Sequence, residues 1–194
     1  MITFTAINPI LRKSCIFVAL ASLVGCVSTS PAIKTSFYTV NGLTGAQIDR
    51  ELRAKGPLDG HALASAAISF EPVSVLQESS KDGCRFKTAK FRVKANLTLP
   101  RWAERRSSKD QNLRRAWDGL SKYAKLHEEM HVKIAEQYAK QMGDSLMDLP
   151  THKTCEKLDK VAEKAFKGLL RDHDRAQRRF DAIEQKRLAA LFAE

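Results

Sequence analysis

Between Leu113 and Tyr138 the residues Leu113, Trp117, Leu120, Ala124, His127, His131, Ile134 and Tyr138 recur at spacings of four and three with no proline among them. This is the stripe of a long amphipathic helix, which must lie against some other surface to bury that face. The pattern starts near Asp110, weakens at Gly143 and has to stop by Leu149-Pro150, because proline cannot continue a helix. A second stripe follows through Leu158, Ala162, Ala165, Leu169, His173, Ala176, Phe180 and Ile183. Two long helices joined by a short loop pack as an antiparallel hairpin.

The first half of the chain has a different period. Ala89, Phe91, Val93, Ala95, Leu97 and Leu99 alternate with Lys90, Arg92, Lys94, Asn96 and Thr98, so one face of this strand is buried and the other wet, until Pro100 ends it. Ile68, Phe70, Val73 and Val75 suggest an earlier strand between Ala64 and Glu78, interrupted by Pro72 as at a sheet edge or bulge, with a turn over Ser79 to Gly83. Phe37 to Val40 reads as a short strand ending at Asn41-Gly42. Thr44 can cap a short helix that carries Ile48 and Leu52 and stops at Gly56-Pro57. The expected fold is α+β: a small antiparallel sheet with one short helix, followed by the long helical hairpin, in a zincin-like arrangement.

The first long helix contains His127-Glu128-Glu129-Met130-His131, an H-E-x-x-H sequence. On a helix the two histidines share one face, where neutral imidazoles can hold Zn²⁺, while Glu128 can take a proton from water at the metal. A catalytic zinc needs a third protein ligand. If the helices end near Met147 and begin near Thr154, facing residues have numbers summing to about 301, which sets His173 opposite residue 128 and makes it the first candidate. Glu156, Glu163, Asp181 and Glu184 are its rivals. His152, in the loop, reads as a surface residue, and His61 has no evident partner.

At the N-terminus Arg12 and Lys13 precede an apolar run from Cys15 to Val24 that is too short to cross a bilayer and reads as a secretion signal. It ends in Leu23-Val24-Gly25-Cys26, which resembles the bacterial lipobox. That resemblance implies cleavage before Cys26 and lipidation of it. The expected division is a signal over residues 1–25, a tether over 26–35 rich in Ser, Thr and Pro, and one domain over 36–194. Cys84 and Cys155 then remain as a pair, which an oxidising compartment favours as a disulfide. The net charge of +11 falls by only the two charges of Arg12 and Lys13. In an exported protein such a surface faces anionic lipid or cell-wall polymers rather than nucleic acid, and Arg101, Arg105, Arg106, Lys109, Arg114 and Arg115 form the basic cluster that could meet them.

Further residues carry a wider resemblance: Tyr38-Thr39-Val40-Asn41-Gly42-Leu43-Thr44, Gly56-Pro57, Cys84, Leu99-Pro100-Arg101-Trp102, Trp117 ahead of the H-E-x-x-H, and Cys155. Together they make the chain resemble an uncharacterised family of bacterial exported domains predicted to be secreted zinc-dependent proteases. Members close with an aromatic-Asp pair and Thr-x-His-Gly; here Phe180-Asp181 is followed by Glu184, Gln185 and Lys186 instead. If the family's third ligand is that closing histidine, His173 or Asp181 must replace it here, or the site is degenerate. The resemblance implies a lipid-anchored, periplasm-facing zinc peptidase of the cell envelope, at the outer membrane, acting on peptide or protein substrates with Glu128 as general base. The Ala89 to Leu99 strand is the candidate edge for an extended substrate. Tyr123 and Tyr138 are candidates for stabilising the oxyanion. The alternative is a non-enzymatic envelope lipoprotein whose histidines are structural or form a degenerate metal site.

Overall fold

The computed structural model describes residues 28–191, and the side chains of residues 28–190. The signal over 1–25 and the lipidation site Cys26 lie outside the described residues. Strand β1 (Ala32–Val40) is followed by helix α1 (Gly45–Lys55), the hairpin of β2 (Ser65–Ser80) and β3 (Gly83–Trp102), a single 3-10 turn (Ala103–Arg105), and helices α2 (Gln111–Met147) and α3 (Cys155–Leu191). β1 begins inside the stretch expected to be tether. No helix among the described residues is long and apolar enough to cross a membrane.

The sheet is mixed, not antiparallel. Its order is β1-β3-β2, with β1 parallel to β3 and β2 antiparallel to it. Alternation along a strand reports which face is buried but not the direction of its neighbour, so this was not readable from β3 alone. β3 is also the central strand rather than a free edge: β1 pairs with Lys94 to Trp102 and β2 with Gly83 to Thr98. The free edges belong to β1 and β2. Pro100 does not end β3 but pairs with Tyr38, at a point beyond the last β2 pair, Ser65 with Thr98, where the strand has one partner only. Pro72 falls at a register shift in edge strand β2, as a residue without an N–H requires.

The period-two residues of β3 form the floor of the core. Val93, Ala95 and Leu97 pack against Val132, Ala135 and Ala139 of α2, and Leu99 against Ala124. Asp110 caps α2 by accepting from the amides of Asn112 and Leu113. The face that α2 turns to the sheet is Trp117, Ala124, Glu128, Val132, Ala135, Ala139, Met142 and Leu146, so a carboxylate occupies the middle of an otherwise apolar stripe. Gly143 does not weaken the helix here. A Cβ at this position would lie 2.5 Å from the carbonyl oxygen of Ala89, and glycine is what lets helix and strand approach so closely.

At the loop end of the hairpin, Cys84 is bonded to Cys155, and Leu146, Leu158 and Ala162 close over Cys84, Phe86 and Ala89. His152 is half-buried rather than on the surface, because its backbone exchanges two hydrogen bonds with Cys84, 2.7 and 2.9 Å long. The loop therefore runs on past the end of α2 to reach the β2–β3 hairpin before α3 starts. This displaces the register of the two helices. Tyr123 meets Glu184, His127 meets Asp181, and His131 meets Gln177. Relative to a tight turn, α3 is shifted by about 10 Å, two helical turns.

Candidate metal centre

The seam between α2 and α3 is apolar near the loop and polar further along. On α3, His173, Gln177, Asp181 and Glu184 follow one another at helical spacing and face Tyr138, His131, His127 and Tyr123 of α2 in turn. Nonadjacent polar residues that meet pairwise along one partly buried seam are costly unless they serve each other or a ligand.

His127, His131 and Asp181 form the centre of this seam. The Nε2 atoms of the two histidines are 3.2 Å apart, and Asp181 Oδ1 is 3.3 Å from His127 Nε2 and 3.0 Å from His131 Nε2. Zinc bonds of about 2.0–2.1 Å in tetrahedral geometry require ligand atoms about 3.3–3.4 Å apart, so the triangle has nearly the size that such an ion needs. Two imidazoles and a carboxylate are also a donor set suited to zinc. Asp181 is half exposed, with 53% of its side chain open to solvent, whereas His127 and His131 keep only 21% and 14%. The triangle is thus open to solvent at its Asp181 corner. The ring of Phe180 stands 4.9 Å from that of His127 and 5.0 Å from that of His131, closing the α3 side with an apolar wall.

Burial shapes the charge states. It lowers the pKa of His127, and the neighbouring His131 lowers it further against the opposing pull of Asp181, so the free imidazole is neutral and ready to ligate. Glu128 is 5% exposed on the sheet side of the helix, one residue round from the histidines. Desolvation raises its pKa to about 7; Asp181 adds to the rise and His131 opposes it. A carboxyl poised there can both accept and release a proton at neutral pH.

His173, the first candidate from the hairpin register, is not in the triangle. The displacement of α3 puts it beside Tyr138 and Phe70, with ring centroids at 5.5 and 5.0 Å, and burial lowers its pKa. Asp181, one of its rivals, occupies the third corner. Glu184 lies next to the triangle, where its Oε2 is 3.3 Å from the hydroxyl of Tyr123 and 2.9 Å from Arg187. Glu156 and Glu163 pair with Lys160 and Lys167 at the other end of α3. Gln177 was not anticipated, although the four-residue spacing of His173, Gln177 and Asp181 was a visible signal. Its Oε1 is 2.6 Å from His131 Nδ1, and its Nε2 is 3.0 Å from the His131 carbonyl oxygen and 2.7 Å from His173 Nε2.

Of the basic cluster, Arg101, Arg105 and Arg106 line an open groove with Lys122 and Lys125. Helical geometry sets this groove on the side of α2 away from the histidines. Arg105 is engaged there by Asp118. Lys109, Arg114 and Arg115 are not part of it.

A mixed three-stranded sheet under a helical hairpin with a His-His-Asp cluster defines an α+β domain with a candidate metal site. The chain belongs to a bacterial family of unknown function, DUF922, whose family model matches residues 35–187. No curated protein and no solved structure matches it.

Proposed function

We propose that the protein is a zinc-dependent peptidase of the bacterial cell envelope, tethered through lipid at Cys26, with its metal held by His127, His131 and Asp181. The triangle of three ligand atoms, with a buried carboxyl of raised pKa beside it, is the observation that carries this reading. Zinc in that triangle supplies Lewis-acid polarisation of a peptide carbonyl and makes water easier to deprotonate. Glu128 takes the proton from the attacking water and gives it to the leaving amine, alternating between the two states that a pKa of about 7 makes accessible. Phe180 limits the access of bulk water on the α3 side. The outer edge of β2, whose Ala66 and Ile68 pack against the α2 core beside the site, is where an extended substrate can add as a strand. Tyr123 is the nearer of the two tyrosines to the triangle, with its ring 5.9 Å from that of His127, and is the better placed to meet a developing oxyanion. The groove of Arg101, Arg106, Lys122 and Lys125 is the surface that an anionic lipid or cell-wall polymer would meet.

The test is zinc content and peptide hydrolysis in the wild type and in Glu128→Gln. The wild type should bind one equivalent of zinc and cleave members of an unbiased peptide library. Glu128→Gln should retain zinc and lose about 10²–10⁴-fold in rate, the usual contribution of a general base. Zinc binding with no hydrolysis of any peptide would leave a structural metal site, and absence of zinc at micromolar concentration would end the proposal.

A further inference from the structure

Gln177 makes three hydrogen-bonded contacts, and together they leave its amide only one orientation. The atom 3.0 Å from the His131 carbonyl oxygen must be the nitrogen, since a carbonyl only accepts. That oxygen lies within α2, and its second lone pair is available to a side chain. The amide's other N–H points at His173 Nε2, 2.7 Å away, which must therefore be the unprotonated ring nitrogen. His173 is 6% exposed, the setting in which an imidazole stays neutral and serves as a fixed acceptor. With both protons of the amide assigned, Oε1 is left facing His131 Nδ1 at 2.6 Å, and this contact is a hydrogen bond only if Nδ1 carries the proton.

We infer that Gln177, oriented by the His131 carbonyl and by buried His173, is a positioning residue that holds a proton on His131 Nδ1 and so leaves Nε2, the nitrogen that faces His127 and Asp181, as the one that meets a metal. The inference deepens the proposed metal site and rests on it for the effect on metal affinity, but not for the tautomer itself. An imidazole free in solution interconverts between its two neutral forms. Here the amide, held by the His131 carbonyl and the second histidine, keeps the proton on Nδ1. Preorganisation of this kind, by a hydrogen bond to the non-ligating nitrogen, raises metal affinity by about 10–100-fold. It also gives His173 a role: it is the end of a relay, one shell further out than the hairpin register suggested.

The experiment uses the full chain, freed of metal and labelled with ¹⁵N in its histidines. Nitrogen shifts at neutral pH report the tautomer of His131, and a Co²⁺ titration followed by visible absorption reports affinity. The wild type should show a proton on His131 Nδ1, whether or not Asp181 holds a second one on Nε2. Gln177→Leu should show a mixture of tautomers and bind Co²⁺ about 10–100-fold more weakly. Gln177→Glu keeps the acceptor and should keep the Nδ1–H tautomer, its proton moving downfield against the carboxylate; this variant decides the matter if Gln177→Leu does not fold. An Nε2–H tautomer in the wild type, an unchanged tautomer and affinity in Gln177→Leu, or an unmoved proton in Gln177→Glu would each overturn the inference. If the wild type shows Nδ1–H, lost in Gln177→Leu, yet binds no Co²⁺, Gln177 sets the tautomer and it is the metal-site reading that fails.

Discussion

Near its loop the helical hairpin is closed by Leu146, Leu158 and Ala162 over a disulfide, whereas further along the same helices meet through His127, His131, Gln177 and Asp181. Leu158 and Met142 are wholly buried at the first end, while at the second Asp181 stands half open to solvent. Of the three buried ring nitrogens without a partner among the described residues, two, His127 Nδ1 and His173 Nδ1, lie at the polar end and one, His152 Nε2, at the loop end. Such atoms cost stability, and proteins retain them mainly where they serve something else. The difference teaches that the loop end and the contact with β3 stabilise the fold, while the far end uses part of that stability to hold ligand atoms together. Substitutions at the loop end should cost folding and spare metal binding. Those at the polar end should do the reverse.

The largest expected effect is at the staple. Replacing Cys84 and Cys155 by serine releases a constraint between residues 71 apart, worth about 4 kcal/mol in the chain-entropy model. Urea unfolding should show this loss, while the zinc affinity of the protein that remains folded stays within about twofold. A large drop in affinity would mean that the two ends are mechanically one unit.

Gly143→Ala is a smaller perturbation of the same end. The new methyl group would be forced against the Ala89 carbonyl oxygen at 2.5 Å, so α2 must lift from β3 at a cost of about 1–3 kcal/mol. The midpoint of thermal unfolding should fall, with zinc stoichiometry unchanged.

The loop end and the sheet contact were also the part more legible in the sequence. The period-two run of β3 and the amphipathic stripes of α2 and α3 gave the elements, and Cys84 and Cys155 gave the staple. The polar end was half legible. His127, Glu128 and His131 follow from helical spacing alone. Their third partner depended on how far the 148–154 loop travels, and this is set by His152 joining β3 at Cys84, a long-range backbone contact with no local signature. An offset of two turns was enough to exchange His173 for Asp181. Which face of α2 meets the sheet was hidden in a related way. The stripe of large residues suggested that the histidines face the core, but β3 offers a floor of alanine, valine and leucine that packs best against the small residues Ala124, Ala135 and Ala139, and this turns Glu128 inward and the histidines toward α3.

The buried carboxyl gives the polar end a dependence on pH. In metal-free protein Glu128 has a pKa of about 7 against about 4.5 for the unfolded chain, so between these values the folded state holds a proton that the unfolded state has released. Its contribution to stability is full below about 4.5 and is lost as pH rises through 7. His127 and His173, whose pKa values are lowered, act in the opposite sense, favouring the folded state as pH rises past the ordinary histidine range. Glu128→Gln separates the two. The urea midpoint of the wild type should fall behind that of Glu128→Gln across this window in the presence of chelator, and zinc should narrow the gap by favouring the ionised carboxylate. A difference that is flat with pH would show that Glu128 is not held protonated in the fold.

The smallest expected change in folding is the most informative about the division between the two ends. Asp181→Ala removes a half-exposed carboxylate whose negative charge opposes ionisation of Glu128. The metal-free variant should therefore unfold within about 0.5 kcal/mol of the wild type, as for other surface substitutions. Zinc is a different matter, because one corner of the triangle is gone. Stabilisation by a ligand grows as RT ln(1 + [L]/Kd), so the rise in Tm that zinc gives the wild type should vanish in Asp181→Ala at the same zinc concentration. If the rise persists, Asp181 is not a ligand and Glu184, the next carboxylate along α3, becomes the residue to change. If instead the metal-free variant loses more than about 1 kcal/mol, beyond the usual range for exposed sites, the polar end contributes to the fold and the contrast with the loop end is weaker than the packing implies.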